Sequence, residues 1–170
     1  TTLTPVQITI EDVQTASDGK AYKFEIPSYQ TKIYKGMFNW RIHLTSIKFH
    51  NGIKEIGDYF FMDYNMIQSI QLPKGLLNIG YAPFEKCSSL ISITIPSSVQ
   101  SMDTHPFANC TSLQEILVEE GNAKYTSVNG VLYSLDKKKL LSYPSGKEDP
   151  HAGGAGRRQQ RCSGNYGGCQ

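Results

Sequence analysis

The side chains that could carry catalysis or bind a metal are spread along this sequence without a recognisable constellation. His43, His50 and His105 fall at three different phases of a pattern that recurs every 23 residues, so they do not stack into one site, and His151 lies near the C-terminus. No G-x-S-x-G, H-E-x-x-H, P-loop or G-x-G-x-x-G motif is present. We therefore predict that this chain is not an enzyme and holds no cofactor.

The remaining acidic and thiol groups point the same way. Glu119, Glu120 and Asp136 are typical of solvated surface charges, because carboxylates are seldom buried without a partner. Cys162 and Cys169 lack the paired C-x-x-C spacing and the nearby histidines of a zinc site. We predict no metal site.

The sequence offers two candidate covalent modifications, a disulfide and a glycosylation site. Cys87 and Cys110 occupy the same position of successive periods. Stacked strands would bring their backbones within about 5 Å, which is near enough for a disulfide. Side chains in a ladder point in parallel, however, so two small buried thiols are the favoured alternative. Asn109-Cys110-Thr111 is a formal glycosylation sequon, and its use requires Asn109 to face outward.

The strongest pattern in the sequence is a set of apolar columns with a period of 23 residues. Its strand-like positions hold Phe24, Ile47, Ile70, Ile93 and Ile116, followed two residues later by Ile26, Phe49, Leu72, Ile95 and Val118. The rest of each period carries the columns Ile33, Ile56, Ile79, Met102; Phe38, Phe61, Phe84, Phe107; and Leu44, Ile67, Leu90, Leu113. A fixed period of about 20 to 50 residues indicates a solenoid.

Each period predicts one strand and a return segment. In "LISITIP", Ile93 and Ile95 face one side and Ser92 and Thr94 the other, as in a half-buried strand. Pro96 ends the strand because proline has no N–H to donate to a ladder. The return segment has widely spaced apolar residues, which suits turns or short helical pieces. Since one period cannot bury its own apolar face, the copies must stack.

The segment "CSSLISITIPSSVQSMDTHPF" resembles the BspA-like leucine-rich repeats of the Treponema pallidum type, whose pattern is similar to C-x-x-L-x-x-I-x-I-P-x-x-V-x-x-I-x-x-x-x-F. The resemblance covers about residues 24–147 and departs at Arg41 and Tyr64, which replace Cys in the first two copies. It implies a repeat solenoid of leucine-rich-repeat type, with parallel β-strands on the concave face. Turns and short helical pieces are expected on the convex side, with hairpin-like caps at the ends.

The predicted organisation is a capped stack of repeats. It comprises an N-terminal cap (1–23), repeats (24–46, 47–69, 70–92, 93–115 and a partial copy from 116 to 118), a C-terminal capping hairpin (119–146) and a disordered or non-native tail (147–170). In the first cap, a strand-like run over Ile8 to Val13 and a turn at Ser17-Asp18-Gly19 precede a second strand. In the second cap, "VLYS" and "LLSYP" flank the charged turn "LDKKK". Both hairpins would shield open strand edges.

Charge and hydropathy narrow the class of partner. The formal net charge is +2, but residues 1–146 contain 13 basic and 13 acidic residues, which sum to zero. A neutral body gives no electrostatic reason to expect nucleic acid or an anionic membrane. No run approaches about 18 apolar residues, so we expect no direct membrane insertion. The chain begins at Thr1 without a leader pattern, so we expect a mature or excised fragment whose signal or anchor would lie outside it.

The candidate ligand-binding residues are those that alternate with the buried columns of the strands. One ladder contains Ser46, Ser69, Ser92 and Glu115, and the next contains Lys48, Gln71, Thr94 and Leu117. Concave solenoid surfaces hold proteins or glycans, although any half-exposed strand also shows polar residues to water. The oligomeric state is left open.

The family resemblance implies non-enzymatic protein or glycan binding. The expected setting is a surface or secreted protein of a microbe or protist that adheres to host proteins, matrix or neighbouring cells. One alternative is a structural spacer or self-associating module that displays another domain. Another is the recognition arm of an enzyme whose catalytic domain lies outside this chain.

Overall fold

Strands and turns make up all the secondary structure that the computed structural model describes, which covers residues 13–15, 22–26, 28, 31–33 and 44–148. No helix occurs in these ranges. In chain order the strands are β1 (Val13–Thr15), β2 (Tyr22–Glu25), β3 (Lys32–Ile33), β4 (Leu44–Lys48), β5 (Glu55–Ile56), β6 (Ser69–Gln71), β7 (Asn78–Ile79), β8 (Ser92–Ile95), β9 (Ser101–Met102), β10 (Glu115–Val118), β11 (Tyr125–Val128), β12 (Val131–Ser134) and β13 (Leu140–Ser142).

One strand from each period runs parallel along one side of the solenoid, which we call the main sheet: β2, β4, β6, β8 and β10. β2 pairs with β4, and β8 pairs with both β6 and β10. Paired residues are 23 apart, as in Ile70–Ile93 and Ile93–Ile116. Each apolar column therefore faces the core, where Ile93 and Ile116 are 2% and 0% exposed. The predicted parallel-strand solenoid is confirmed.

The main sheet is interrupted between β4 and β6. Among the described strands, β4 and β6 are not paired by backbone hydrogen bonds. The two rows of outward side chains, which were predicted to run along the whole sheet, are therefore each divided into two parts. The break coincides with Tyr64, which takes the position held by Cys87 and Cys110 in the next two periods. The Tyr64 ring packs edge-on against Phe61 with centroids 5.6 Å apart, and it needs more room than a thiol just before β6 begins.

The opposite side of the solenoid carries a second parallel sheet, in the order β3-β5-β7-β9. Here the sequence predicted turns or short helical pieces, and the structure has turns and two-residue strands instead. Each strand points one apolar residue inward, and Ile33, Ile56 and Ile79 are at most 2% exposed. Identical segments stacked at strand spacing place N–H groups beside carbonyls of the neighbouring period. Pairing between periods therefore satisfies the backbone without a helix.

The corner that carries each Phe is built from left-handed residues four positions apart. These recur every 23 residues at Tyr59 and Asp63, Ala82 and Lys86, and His105 and Asn109, with φ between 44° and 69°. In this conformation backbone N–H groups of the corner donate hydrogen bonds to carbonyls of the next period. Examples are the bonds from the Phe61 N–H to the Pro83 carbonyl (2.7 Å) and from the Phe84 N–H to the Pro106 carbonyl (3.1 Å). These bonds offset the cost of left-handed geometry in residues with a Cβ.

The core contains a stack of phenylalanine rings and, beside it in the sequence pattern, a column of buried thiols. Phe61, Phe84 and Phe107 lie ring on ring with centroid distances of 5.4 and 5.5 Å. Cys87 and Cys110 are both free and fully buried. Their Sγ atoms donate to the carbonyls of Phe61 (3.2 Å) and Phe84 (3.0 Å), so each thiol joins its own period to the preceding one. The free-thiol alternative is the one that the structure adopts.

Antiparallel strands flank the stack at both ends. β1 pairs with β2, while most of the predicted N-terminal cap lies outside the described residues. At the other end β11, β12 and β13 form an antiparallel sheet. Asn129 and Gly130, with φ of 50° and 74°, form the two-residue turn between β11 and β12, as a type I′ hairpin requires. Leu132 of β12 is fully buried and extends the core beyond the last repeat.

Candidate functional site

All eight predicted binding residues lie on the outward side of the main sheet and are exposed or half-exposed. Ser69, Ser92 and Glu115 align across β6, β8 and β10. Gln71, Thr94 and Leu117 align beside them in the same register. Ser46 and Lys48 belong to β4, on the other side of the break. We call Gln71, Thr94 and Leu117 the central row; with about 4.8 Å per strand, it spans roughly 10 Å.

The central row changes from polar to apolar towards the C-terminal cap. Leu117 is 38% exposed, although it stands on a strand whose other outward residue is Glu115. Val128, 37% exposed, lies on the segment that runs beside β10, because two hydrogen bonds fix β10 against the β11–β12 hairpin. These bonds run from the Val118 N–H to Ser127 Oγ (3.2 Å) and from the Ile116 N–H to the Gly130 carbonyl (2.8 Å). The row thus ends in an accessible apolar pair.

A shallow, open depression of about 400 Å³ lies just before the strands of the main sheet. Gln68, Ile91 and Gln114 line it, and Gly146 closes one end. Ile91 is 44% exposed there. Gly146 has no side chain to keep it away from the neighbouring backbone, and its N–H donates to the Leu113 carbonyl at 2.7 Å. The depression is too open to exclude water from a reaction, but it enlarges the surface available for contact.

The opposite side of the solenoid carries an aromatic row that the column analysis missed. Tyr59 and Tyr81 meet edge to face with centroids 5.3 Å apart, and Tyr81 and His105 with centroids 6.2 Å apart. Partial burial, followed by the charge and hydrogen bond of Tyr81, raises the pKa of Tyr59. Tyr81 lies 22 positions after Tyr59 and 24 before His105, so it stands one position outside the column that Tyr59 and His105 share in a 23-residue alignment. Only the folded corner brings them together.

The described residues hold two inert buried thiols and no cluster of metal ligands. Burial raises the pKa of the Cys110 thiol to about 12 and that of Cys87 further, so neither supplies a reactive thiolate near neutral pH. Within this part of the chain, no three His, Cys, Asp or Glu side chains lie close enough together to hold a metal ion. His43 and His151 lie outside it. Nor do the described residues form a helix long and apolar enough to cross a membrane.

A stack of 23-residue periods with one parallel strand per period defines the class of protein as a leucine-rich-repeat solenoid. The profile of the BspA-type leucine-rich repeat region matches residues 9–129 of this chain in six copies. The chain therefore belongs to the BspA-type leucine-rich-repeat family. Members of this class are generally non-enzymatic modules that bind proteins. No curated protein sequence matches the chain.

Three solved structures have the same architecture. A leucine-rich repeat protein from Eubacterium ventriosum is 31% identical, with a TM-score of 0.69 over 75% of this chain and 33% of its own. The pneumococcal vaccine antigen PcpA is 31% identical, with a TM-score of 0.55 over 80% of this chain and 41% of its own. The Treponema pallidum leucine-rich repeat protein, at 16% identity and a TM-score of 0.50 over 65% of this chain and 71% of its own, shares the fold alone. This chain spans less than half the length of the first two.

Proposed function

We propose that this chain is the recognition module of a microbial or protist surface or secreted protein, and that it mediates adhesion by binding a protein on host or neighbouring cells. The central row carries the proposal, because it combines hydrogen-bonding side chains at Gln71 and Thr94 with an accessible apolar group at Leu117. Interfaces between proteins are built from apolar anchors with a polar rim. The family membership and the similarity to a pneumococcal vaccine antigen support a binding partner outside the cell.

A protein ligand fits this surface better than a glycan. Glycans are polar and stack on aromatic faces, whereas the central row is polar at one end, aliphatic at the other and free of aromatic residues. A segment that lies across the strands would place an apolar side chain against Leu117 and Val128. Its polar groups would then meet Thr94 and Gln71, one strand apart.

The first experiment is binding of the full chain to matrix proteins, glycan arrays and host cells, with two variants. Leu117→Asp removes the apolar anchor, and Gln71→Ala with Thr94→Ala removes the polar part of the row. We expect each to weaken binding at least tenfold, since one interface anchor contributes about 1.4 kcal/mol or more.

The matched control changes two exposed side chains of the second sheet, Asn78→Ala with Ser101→Ala. It should bind like the parent, and circular dichroism should show that every variant is folded. Equal binding by the parent and both central-row variants would place the ligand on another surface. Concentration-dependent self-association without any heterologous binding would favour the spacer or self-associating module.

A further inference from the structure

The turn between β12 and β13 presents three consecutive lysines between two leucines. We call residues 135–140, Leu-Asp-Lys-Lys-Lys-Leu, the lysine turn. All of its side chains are exposed, and Leu135 and Leu140 are 51% and 46% exposed. Leu135 is the most exposed large apolar residue of the described part of the chain. Two solvent-facing leucines beside a cationic cluster match a partner surface that is both apolar and anionic.

Hydrogen bonds within the lysine turn hold it in one shape. Ser134 Oγ donates to Asp136 Oδ1 at 2.6 Å, and the same carboxylate accepts the Lys138 N–H at 3.1 Å. The Ser134 N–H donates to the Lys139 carbonyl at 2.9 Å. Lys137 takes the left-handed conformation, with φ of 59°. The side chains of the turn are therefore displayed from a fixed backbone, which reduces the ordering cost of binding.

The positive charge of the lysine turn is not neutralised by its neighbours. Among the described residues no carboxylate lies within ion-pair distance of the Lys137, Lys138 or Lys139 ammonium group. Asp136 is the one acidic residue of the turn, and it offsets one of the three lysine charges, so residues 135–140 keep a net charge of +2. The Lys124 backbone also lies beside the turn, since its carbonyl accepts the Leu135 N–H at 2.9 Å. A chain with no net charge through residue 146 thus has a locally cationic tip.

We propose that the lysine turn docks peripherally on an anionic phospholipid surface, with Leu135 and Leu140 entering the headgroup region and the lysines contacting the phosphates. Lysine stems can lie along the acyl boundary while the ammonium groups reach the headgroups. A soluble polyanion would use the lysines but gain nothing from the leucines, and for this reason the combination favours a bilayer. The contact does not span the membrane.

The test is sedimentation of the full chain with vesicles of phosphatidylcholine alone and of phosphatidylcholine with about 30% phosphatidylserine. Each lysine near an anionic surface contributes about fivefold to binding, so Lys137→Gln with Lys138→Gln should weaken binding about 25-fold. Leu135→Ser with Leu140→Ser should weaken it several-fold. Binding should also decrease as salt is raised, because the attraction is screened.

Two control variants separate the turn from general surface effects. Lys86→Gln with Lys74→Gln removes the same charge from other exposed positions, and Lys86 matches Lys137 in its left-handed conformation (φ 61°). Met66→Ser with Ile91→Ser removes two exposed apolar side chains of similar exposure, 42% and 44%. Neither control should change the partition into anionic vesicles.

Three results would overturn the proposal. One is no preference for anionic vesicles over phosphatidylcholine. Another is equal binding by the turn variants and their controls. The third is binding to soluble dextran sulfate that competes fully with vesicles and is insensitive to the leucine variant, which would identify a polyanion site instead. None of these outcomes bears on the central row, whose variants report on the protein ligand separately.

Discussion

His50 occupies a position where the following periods have proline. Replacing His50 by proline therefore tests whether its turn has the same geometry as theirs. The same column holds Pro73 and Pro96. In all three periods the carbonyl at this position accepts the N–H three residues later, at 3.2, 3.0 and 3.2 Å for positions 50, 73 and 96. The His50 N–H reaches no acceptor among the described residues, so a proline there removes no hydrogen bond of the backbone. We predict that His50→Pro stabilises the protein.

The magnitude follows from the surroundings of the imidazole. His50 Nδ1 accepts the Gly52 N–H at 3.1 Å, and losing this bond costs about 0.5–1.5 kcal/mol. His50 Nε2 is buried without a hydrogen-bond partner in the described structure, and removing it recovers about 1–3 kcal/mol. Proline restricts the unfolded chain by a further ~0.4–1 kcal/mol. After the apolar contacts of the imidazole are subtracted, about 1 kcal/mol of stabilisation is left, or about 2–4 °C in Tm.

Urea unfolding of the full chain, followed by far-ultraviolet circular dichroism, measures this change. The midpoint should rise while the m-value is unchanged. His50→Ala removes the unpartnered nitrogen without restricting the backbone, so it should lie between the parent and the proline variant. Pro73→Ala should lose about 0.4–1 kcal/mol. If His50→Pro destabilised the protein while Pro73→Ala had its expected effect, the turn at position 50 would differ from its neighbours and the reasoning would be refuted.

Four further predictions concern the core and the C-terminal cap. Asn122→Ala should lower the free energy of unfolding by about 2–4 kcal/mol in the same urea assay, because the amide donates two hydrogen bonds and accepts two; a change below about 0.5 kcal/mol would contradict this. Phe84→Ala should cost about 3–5 kcal/mol, since its fully buried ring is stacked on both sides. Burial raises the pKa of Tyr64 and of Cys110 to about 12, from 10.0 and 9.0. Their contribution is complete below about pH 9 and decreases as pH rises towards 12, because the unfolded state ionises first; unfolding titrations at pH 8 to 11 check this. At pH 8, iodoacetamide should modify Cys87 and Cys110 only after unfolding, as mass spectrometry would show.

The repeat pattern predicted the buried side of the fold because burial is decided column by column. Every period must place an apolar residue where its neighbours do, or the stack has a hole. For this reason Phe61, Phe84 and Phe107 were identifiable as a column before any coordinates. The second sheet was not predicted, since two residues such as Asn78 and Ile79 are too few to show an alternating pattern.

The outward position of the candidate binding residues could be predicted from the sequence, but the residues that lie beside them could not. Alternation along the strands put Gln71, Thr94 and Leu117 on the outward side, and the structure has them there in register. The exposed apolar residue on the segment beside Leu117 is Val128, which belongs to the cap and follows no repeat. Asn109 of the sequon is exposed, as its use requires, while Cys110 beside it is buried. The position of Val128 and the exposure of Asn109 cannot be predicted from the repeat spacing alone.

Some features did have a local signal that the repeat obscured. Asn129-Gly130 between apolar residues is a strong sign of a two-residue hairpin, and it marks the β11–β12 turn. The left-handed corner residues have no common type: Asp63, Lys86 and Asn109 share a conformation but not a chemistry. Their conformation is imposed by the hydrogen bonds between stacked corners, so no single period specifies it.

The sequence by itself determined the period, the buried columns and the strand of each repeat, because these depend on interactions between identical positions. Tertiary structure decided where the main sheet is interrupted and which surface residues lie near one another. The aromatic row at Tyr59, Tyr81 and His105 is one such case, and the placement of the Val128 segment beside Leu117 is another. Both involve residues from different columns or from outside the repeat, and only the three-dimensional path of the chain brings them near one another.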